Sequence, residues 1–526
     1  STLPANVENL TLTGTLAIDG TGNDQANILN GNTANNRLVG FIGNDILNGS
    51  AGGDDLIGGL GDDVYFVDDA GDAVHEGLNE GIDKVNSSIT YTLPDFVENL
   101  TLTGTSAING TGNDLANVVI GNNANNQISG GNQVDLNAID TLIGGLGDDT
   151  YSTHLGTEVI IEKPNEGIDT VLGFISGALP ANVENQTLVN NDTTAIGNDL
   201  ANVITGNTVF SNSLIGGGGN DTLVGGIGAD ILYGGSGVDS LIGGLGNDFY
   251  IVDETLDSVT ENLNEGIDTI SSNLTFTLPA NVENLTLTGA LVISGTGNEM
   301  ANIITGNSAI NQLFGGNGND VLNGKAGADG LTGGLGNDNY IVDNSGDIVT
   351  EGVNEGTDKI NSSITRILPA NVENLTLTGA TATNGTGNGL ANVLIGNSNS
   401  NQLNGAGGND KLEGGAGINT LTGGAGKDIF QFVSASHVDT ITDFVVVDDT
   451  VQLENAVFNA LTTLGTLAVD QFRIGSSALD ANDHIIYNNS TGALLYDADG
   501  SGAGAAQQVA TMSAGLAMTN ADILVI

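Results

Sequence analysis

The sequence predicts an all-β chain wound as a parallel β-solenoid, and three observations carry that prediction. Glycine recurs every nine residues through long stretches, as at Gly22, Gly31, Gly40, Gly49 and Gly58. Each nine-residue unit closes on a short segment whose middle residue is apolar or aromatic: Leu29, Leu38, Leu47, Leu56 and Tyr65. No long segment before residue 430 has helical periodicity. Successive residues of a strand face opposite sides, so a three-residue strand after a glycine turn buries one side chain. Nine residues with one turn are half of a flattened coil, and two units complete it.

The elements follow in order. The segment LPANVENLTLTG starts at Leu3 and returns, with small changes, at Leu93, Leu179, Leu278 and Leu368. The chain therefore holds five long repeats up to about residue 426, and residues 1–426 are expected to form one array in which each turn contacts its neighbours. The nine-residue register runs through Gly216, Gly225, Gly234 and Gly243, through Gly297 to Gly333, and through Gly387 to Gly423. Between these blocks, VENLTLTG and DKVNSSITYTLP alternate apolar and polar residues, which predicts strands on a wider coil. The second block is irregular: Gln133 stands where glycine belongs, so a loop or bulge is expected there. Residues 427–526 lose the glycine register and gain Phe430, Phe432, Phe444, Phe458 and Phe472, which predicts a small C-terminal β domain.

Composition narrows the function. The chain has 9 Lys+Arg against 63 Asp+Glu, a formal net charge of −54. So few basic residues leave no footprint for nucleic acid, and an anionic membrane surface would repel the chain. Without cysteine there are no disulfides, iron–sulfur clusters or thiolate zinc sites, and no apolar run is long enough for membrane insertion. Hydrophobic residues still make up 39%, too many for a disordered acidic chain. A compact body of this charge repels itself, and a divalent cation is the first candidate to offset it.

The units GGGGNDTLV, GGIGADILY, GGSGVDSLI and GGLGNDFYI fit the pattern G-G-x-G-x-D-x-U-x. Calcium suits such a turn, because it takes six to eight hard oxygens and accepts backbone carbonyls. Glycine at the first, second and fourth positions is expected to permit positive φ and to turn carbonyls inward. The glycines assigned to such turns are Gly43, Gly61, Gly216, Gly219, Gly225, Gly228, Gly234, Gly237, Gly243, Gly246, Gly315, Gly318, Gly333, Gly336, Gly408, Gly423 and Gly426. The sixth-position carboxylates are Asp45, Asp54, Asp63, Asp149, Asp221, Asp230, Asp239, Asp248, Asp320, Asp329, Asp338, Asp410 and Asp428. Loops on one edge are two units apart, so complete Ca2+ sites are expected at Asp45/Asp63, Asp221/Asp239, Asp230/Asp248, Asp320/Asp338 and Asp410/Asp428. Asp54 and Asp329 face Asn36 and Asn311, which predicts weaker or hybrid sites. Asn27, Asn36, Asn117, Asn126, Asn202, Asn302 and Asn392 read as an amide ladder closing turns without metal. A single such turn could be an ordinary glycine turn; the repetition in register argues against that.

On these nonapeptides the chain resembles the repeats-in-toxin (RTX) family. The resemblance implies a parallel β-roll, disordered without calcium and folded with it, exported by a type I secretion system to the outside of a Gram-negative bacterium. The segments DTITDF at residues 439–444, HIIYNNSTGALLYDADGSG at residues 484–502 and the terminal ADILVI resemble the C-terminal domain of type I secreted proteins. The absence of an N-terminal signal peptide agrees with that route. Asp497, Asp499 and Ser501 also resemble the start of an EF-hand loop, although Gln508 stands at the twelfth position instead of glutamate.

Nothing in the sequence carries catalysis: there is no G-x-S-x-G and no H-E-x-x-H, and the four histidines are scattered. A non-enzymatic, secreted structural protein is expected, a calcium-stabilised solenoid assembling into a filament or surface layer. The alternative is the C-terminal stalk of a larger adhesin, toxin or hydrolase. Because the chain opens at Ser1 inside a long repeat, an incomplete first coil and head-to-tail self-association are expected.

Overall fold

The computed structural model describes residues 1–131, 137–154 and 156–526, so the loop expected around Gln133 lies outside the described residues. The chain divides into two compact units, Ser1–Ile267 and Asp268–Ile526. Each is a parallel β-solenoid. Among the described residues there is no α-helix, only the 3-10 turns Val469–Gln471 and Asn520–Asp522. Among the described residues no helix is long and apolar enough to cross a membrane.

In the first unit, strands stack in parallel two units apart. Ile28–Asn30 pairs with Ile46–Asn48, which pairs with Val64–Val67. The other face stacks Arg37–Ile42, Asp55–Leu60 and Ala73–His75 in the same way. Register puts like on like: Leu29 opposes Leu47, which opposes Tyr65, then Val85, Leu100, Val119 and Leu142. All of these are fully buried. One inward side chain per strand therefore builds a narrow aliphatic column, and the aromatic-poor composition is enough to fill it. The second unit repeats the arrangement, with Leu322 opposing Tyr340, then Ile360, Leu375, Leu394, Leu412 and Phe430.

Between the nonapeptide blocks the coils are not uniformly wider. The step from Asp63 to Asp83 is 20 residues, and the next, from Asp83 to Glu98, is 15. The short coil loses part of a strand at Leu93-Pro94. Proline has no N–H with which to extend the ladder, and Tyr91–Thr92 before it is only two residues long. The chain then reverses through a left-handed residue, Asn6, Phe96, Asn182, Asn281 or Asn371, with φ between 61° and 68°. Asparagine tolerates that conformation better than most residues.

Among the described residues, antiparallel pairing enters only after residue 430. Ile485–Asn488, Ala493–Tyr496 and Gln507–Thr511 form a meander that joins Asp439–Ile441, while Ile523–Val525 lies beside Thr450–Leu453. Phe458 and Tyr496 pack edge to face at 5.1 Å in this region.

Candidate metal centres

The five predicted aspartate pairs are neighbours on the same edge. In each pair the later Asp Oδ1 accepts the backbone N–H of the earlier one: Asp63 from Asp45 at 2.6 Å, Asp239 from Asp221 at 2.8 Å, Asp248 from Asp230 at 2.7 Å, Asp338 from Asp320 at 2.7 Å and Asp428 from Asp410 at 2.9 Å. Asp54 and Asp329 accept from Asn36 and Asn311 in the same way, and Asp149 from Asn126.

The second carboxylate oxygen is the informative one. Oδ2 of Asp45, Asp54, Asp63, Asp149, Asp221, Asp230, Asp239, Asp320, Asp329, Asp338, Asp410 and Asp428 is buried without a hydrogen-bond partner. It points over the first glycine of its own turn. A Cβ on Gly40 would lie 2.1 Å from Asp45 Oδ2 and 2.8 Å from the Gly58 carbonyl oxygen. A Cβ on Gly216 would lie 2.2 Å from Asp221 Oδ2 and 2.4 Å from the Gly234 carbonyl. A carboxylate and a carbonyl of the next same-edge turn thus converge on one small space. Such a donor set, hard oxygens with a buried unpartnered charge, fits Ca2+.

The glycines divide by role. The second and fourth positions have positive φ as expected, 108° at Gly217 and 101° at Gly219. The first-position glycines, Gly216, Gly225, Gly234, Gly243, Gly315, Gly333 and Gly423, do not; they are glycine because the aspartate packs against their Cα. The fourth-position glycines stack on one another: a Cβ on Gly61, Gly237, Gly246, Gly336 or Gly426 would come within 2.0 Å of the carbonyl of Gly43, Gly219, Gly228, Gly318 or Gly408.

Where asparagine holds the sixth position of a turn without the fourth-position glycine, the turn is closed by the side chain itself. Asn36 Oδ1 accepts from Asn32 N–H at 2.7 Å, and its Nδ2 donates to the Ile18 carbonyl at 2.8 Å. Asn126, Asn311 and Asn401 repeat both bonds.

Burial raises the carboxylates in the absence of an ion. Asp45 and Asp221 are pushed up to about 6, Asp149, Asp320 and Asp410 to about 7, and Asp63 to about 8. Desolvation is the main cause, and hydrogen bonds from the preceding turn partly oppose it.

The nonapeptide pattern misses a second set of acids. The ladder continues past each block: Asp63 N–H donates to Asp83 Oδ1, and Asp83 N–H to Glu98 Oε2. Asp149, Asp169 and Glu184 repeat this, as do Asp338, Asp358 and Glu373. Glu76 joins Asp63 and Asp83, Glu162 joins Asp149 and Asp169, and Glu351 joins Asp338 and Asp358. In each trio one oxygen per residue lies within 4.8 Å of the others. The hydroxyls of the buried Tyr65, Tyr151, Tyr250 and Tyr340 donate to Glu76, Glu162, Glu261 and Glu351, always eleven residues on. That constant offset is the sequence signal for these residues.

At the EF-hand-like stretch, the chain forms the loop between antiparallel strands Ala493–Tyr496 and Gln507–Thr511. Asp499 Oδ2 accepts Gly504 N–H at 3.0 Å, and Gln508 turns its amide to Thr511 Oγ1 at 2.8 Å.

The RTX calcium-binding nonapeptide repeat family matches residues 21–72, 111–157, 215–250, 296–340 and 386–431, within each of the five long repeats. The chain is also similar to two enzymes of Rhizobium meliloti (strain 1021). It is 42% identical over 66 residues to endo-1,3-1,4-beta-glycanase ExsH and 38% identical over 66 residues to endo-1,3-1,4-beta-glycanase EglC. Each match covers 12% of this chain and 14% of the relative, so the chain spans about one seventh of the length of these relatives. The recurring turns, their inward carboxylates and the family match in every long repeat identify the chain as an RTX calcium-binding repeat protein.

Proposed function

We propose that this chain is a secreted structural protein whose solenoid is held together by calcium, and that it assembles outside a Gram-negative cell into a filament or surface layer. The carrying observation is the inward Asp Oδ2 without a partner, repeated turn after turn in a chain with 9 basic and 63 acidic residues. Asp45, Asp221, Asp230, Asp320, Asp410 and their partners two units on would hold the ions, with turn carbonyls completing the shell. Calcium supplies the positive charge that lets stacked carboxylates stay ionised at close range. Outside cells, where calcium is abundant, that charge is available; export through a type I system would carry the chain there unfolded.

Self-association along the solenoid axis belongs to this reading. No catalytic role is assigned. A second reading follows from the glycanase relatives, which share only a short stretch with this chain: the repeats would then serve as the export and folding module of a larger hydrolase. Circular dichroism in excess chelator and after adding millimolar calcium tests the calcium reading, with loss and recovery of β signal expected. Electron microscopy of the calcium form, together with the intact mass of the native protein, separates the two readings. Ordered assemblies of a chain near 52.9 kDa support the first, and a much larger native polypeptide supports the second.

A further inference from the structure

We propose that the trios Asp63/Glu76/Asp83, Asp149/Glu162/Asp169 and Asp338/Glu351/Asp358 are a second class of Ca2+ site, tighter than the nonapeptide sites and filled before them. The proposal rests on the calcium reading above and deepens it. In a nonapeptide pair, one carboxylate and a carbonyl of the next same-edge turn face one space. At these junctions the partner turn is the segment ending at Asp83, Asp169 or Asp358, and a glutamate enters as a third acid.

Beyond the clustering of acids, unpartnered buried oxygens point to a ligand. Asp63 Oδ2 and Asp83 Oδ2 lack partners on residues at most 1% exposed. So do Asp149 Oδ2 and Glu162 Oε2 in the second trio, and Asp338 Oδ2 and Glu351 Oε2 in the third, all on residues at most 8% exposed. Among the described residues no Lys or Arg pairs with any of them. Clustered carboxylates with buried oxygens and no counter-charge are strongly unfavourable in the ionised form unless a cation joins them.

The tyrosine explains how the glutamate is held. Tyr65, Tyr151 and Tyr340 are fully buried, and each hydroxyl occupies one glutamate oxygen, leaving the other unpartnered. The same hydroxyl sits beside the aspartate: a Cβ on Gly58 would meet Asp63 Oδ2 at 2.0 Å and Tyr65 Oη at 2.1 Å. The tyrosine is therefore a positioning residue. The facing loop is held as the nonapeptide turns are, with Gly61, Gly147 and Gly336 N–H donating to the carbonyls of Glu80, Glu166 and Glu355 at 2.7 to 2.8 Å. Calcium affinity rises with the number of charged ligands, and these junctions exceed the nonapeptide pairs in that number.

The test is calcium stoichiometry of the full chain by equilibrium dialysis at low free calcium. The combined Glu76→Gln, Glu162→Gln and Glu351→Gln variant is expected to lose three of the tightly bound ions. Each single substitution, made in case the combined variant does not fold, is expected to lose one. The combined Tyr65→Phe, Tyr151→Phe and Tyr340→Phe variant should keep the stoichiometry and bind those ions about 10–100-fold more weakly, as for removal of an orienting partner. Because the chain has no tryptophan, terbium emission is excited through its eight tyrosines, these three among them. It should fall in the glutamine variants at low terbium. If the glutamine variants keep wild-type stoichiometry and terbium emission while still folding in calcium, this inference is wrong and the calcium reading stands. A wild-type chain whose circular dichroism ignores calcium would instead remove the calcium reading itself.

Discussion

Asn36 and Asp45 hold the same position in successive turns, yet only the aspartate is left with a buried oxygen that nothing satisfies. The amide both accepts and donates, so it closes its turn alone; the carboxylate can only accept, and no donor faces its inner oxygen. Exchanging them should have opposite effects with and without calcium. Asp221→Asn is expected to remove one bound ion and lower stability in calcium, yet to stabilise the metal-free fold, measured by thermal melts in each condition. A second residue-scale expectation concerns Gly216→Ala. Its Cβ would lie 2.2 Å from Asp221 Oδ2, so the variant should lose about 1–3 kcal/mol, the usual cost of overpacking, together with calcium affinity. Gly389→Ala is the control, because no atom lies within 4 Å of its Cβ and its φ is not positive; it should be close to neutral in the same denaturant titration.

A stacked turn edge behaves as a titrating unit. In the metal-free chain the ladder carboxylates sit above their ordinary range, at about 6 for Asp45, 7 for Asp320 and 8 for Asp63. A raised carboxylate pKa means that the folded state holds protons the unfolded state has released. Stability of the metal-free fold is therefore greatest at acid pH and falls as pH rises through about 6 to 8. In chelator, lowering the pH from 8 to 5 should raise the β signal, and the apparent calcium affinity should weaken over the same window as protons compete. A metal-free β signal that grows with rising pH would contradict the desolvated-carboxylate account. The same unit explains the coil lengths. Steps of 20 and then 15 residues still bring Asp83 and Glu98 onto the ladder, so the turn edge, and not the coil circumference, is what stays in register.

At the scale of the whole molecule, the charge of −54 has two parts that respond differently to salt. Surface acids are screened by mobile ions, whereas the ladder carboxylates are buried and screened much less. Sodium chloride at 1 M, where the Debye length is about 3 Å, should therefore not replace millimolar calcium in restoring the β signal. If it did, general repulsion would be the cause of calcium dependence, and specific coordination would not be needed. Assembly belongs to this scale too: sedimentation should show growth of the native chain with calcium and reversal with chelator.

The nine-residue glycine register, the inward leucine column and the five aspartate pairs were all legible in the chain, because in a solenoid each contact lies a constant distance away in sequence. Position eighteen residues on is the neighbour in space, so local pattern and tertiary contact carry the same information. The limits of that legibility have the same cause. Where the step changes to 20 and 15 residues, a fixed period no longer names the neighbour, and Asp83, Asp169 and Asp358 went unassigned. Glu76, Glu162 and Glu351 lie outside the turn motif altogether; only the path of the coil carries them to Tyr65, Tyr151 and Tyr340 and to the aspartates. The first-position glycines were likewise predictable as glycines but not for their reason. Positive φ is a property of one residue, whereas the carboxylate resting on Gly216 Cα is a contact that exists only once the turn has closed and stacked.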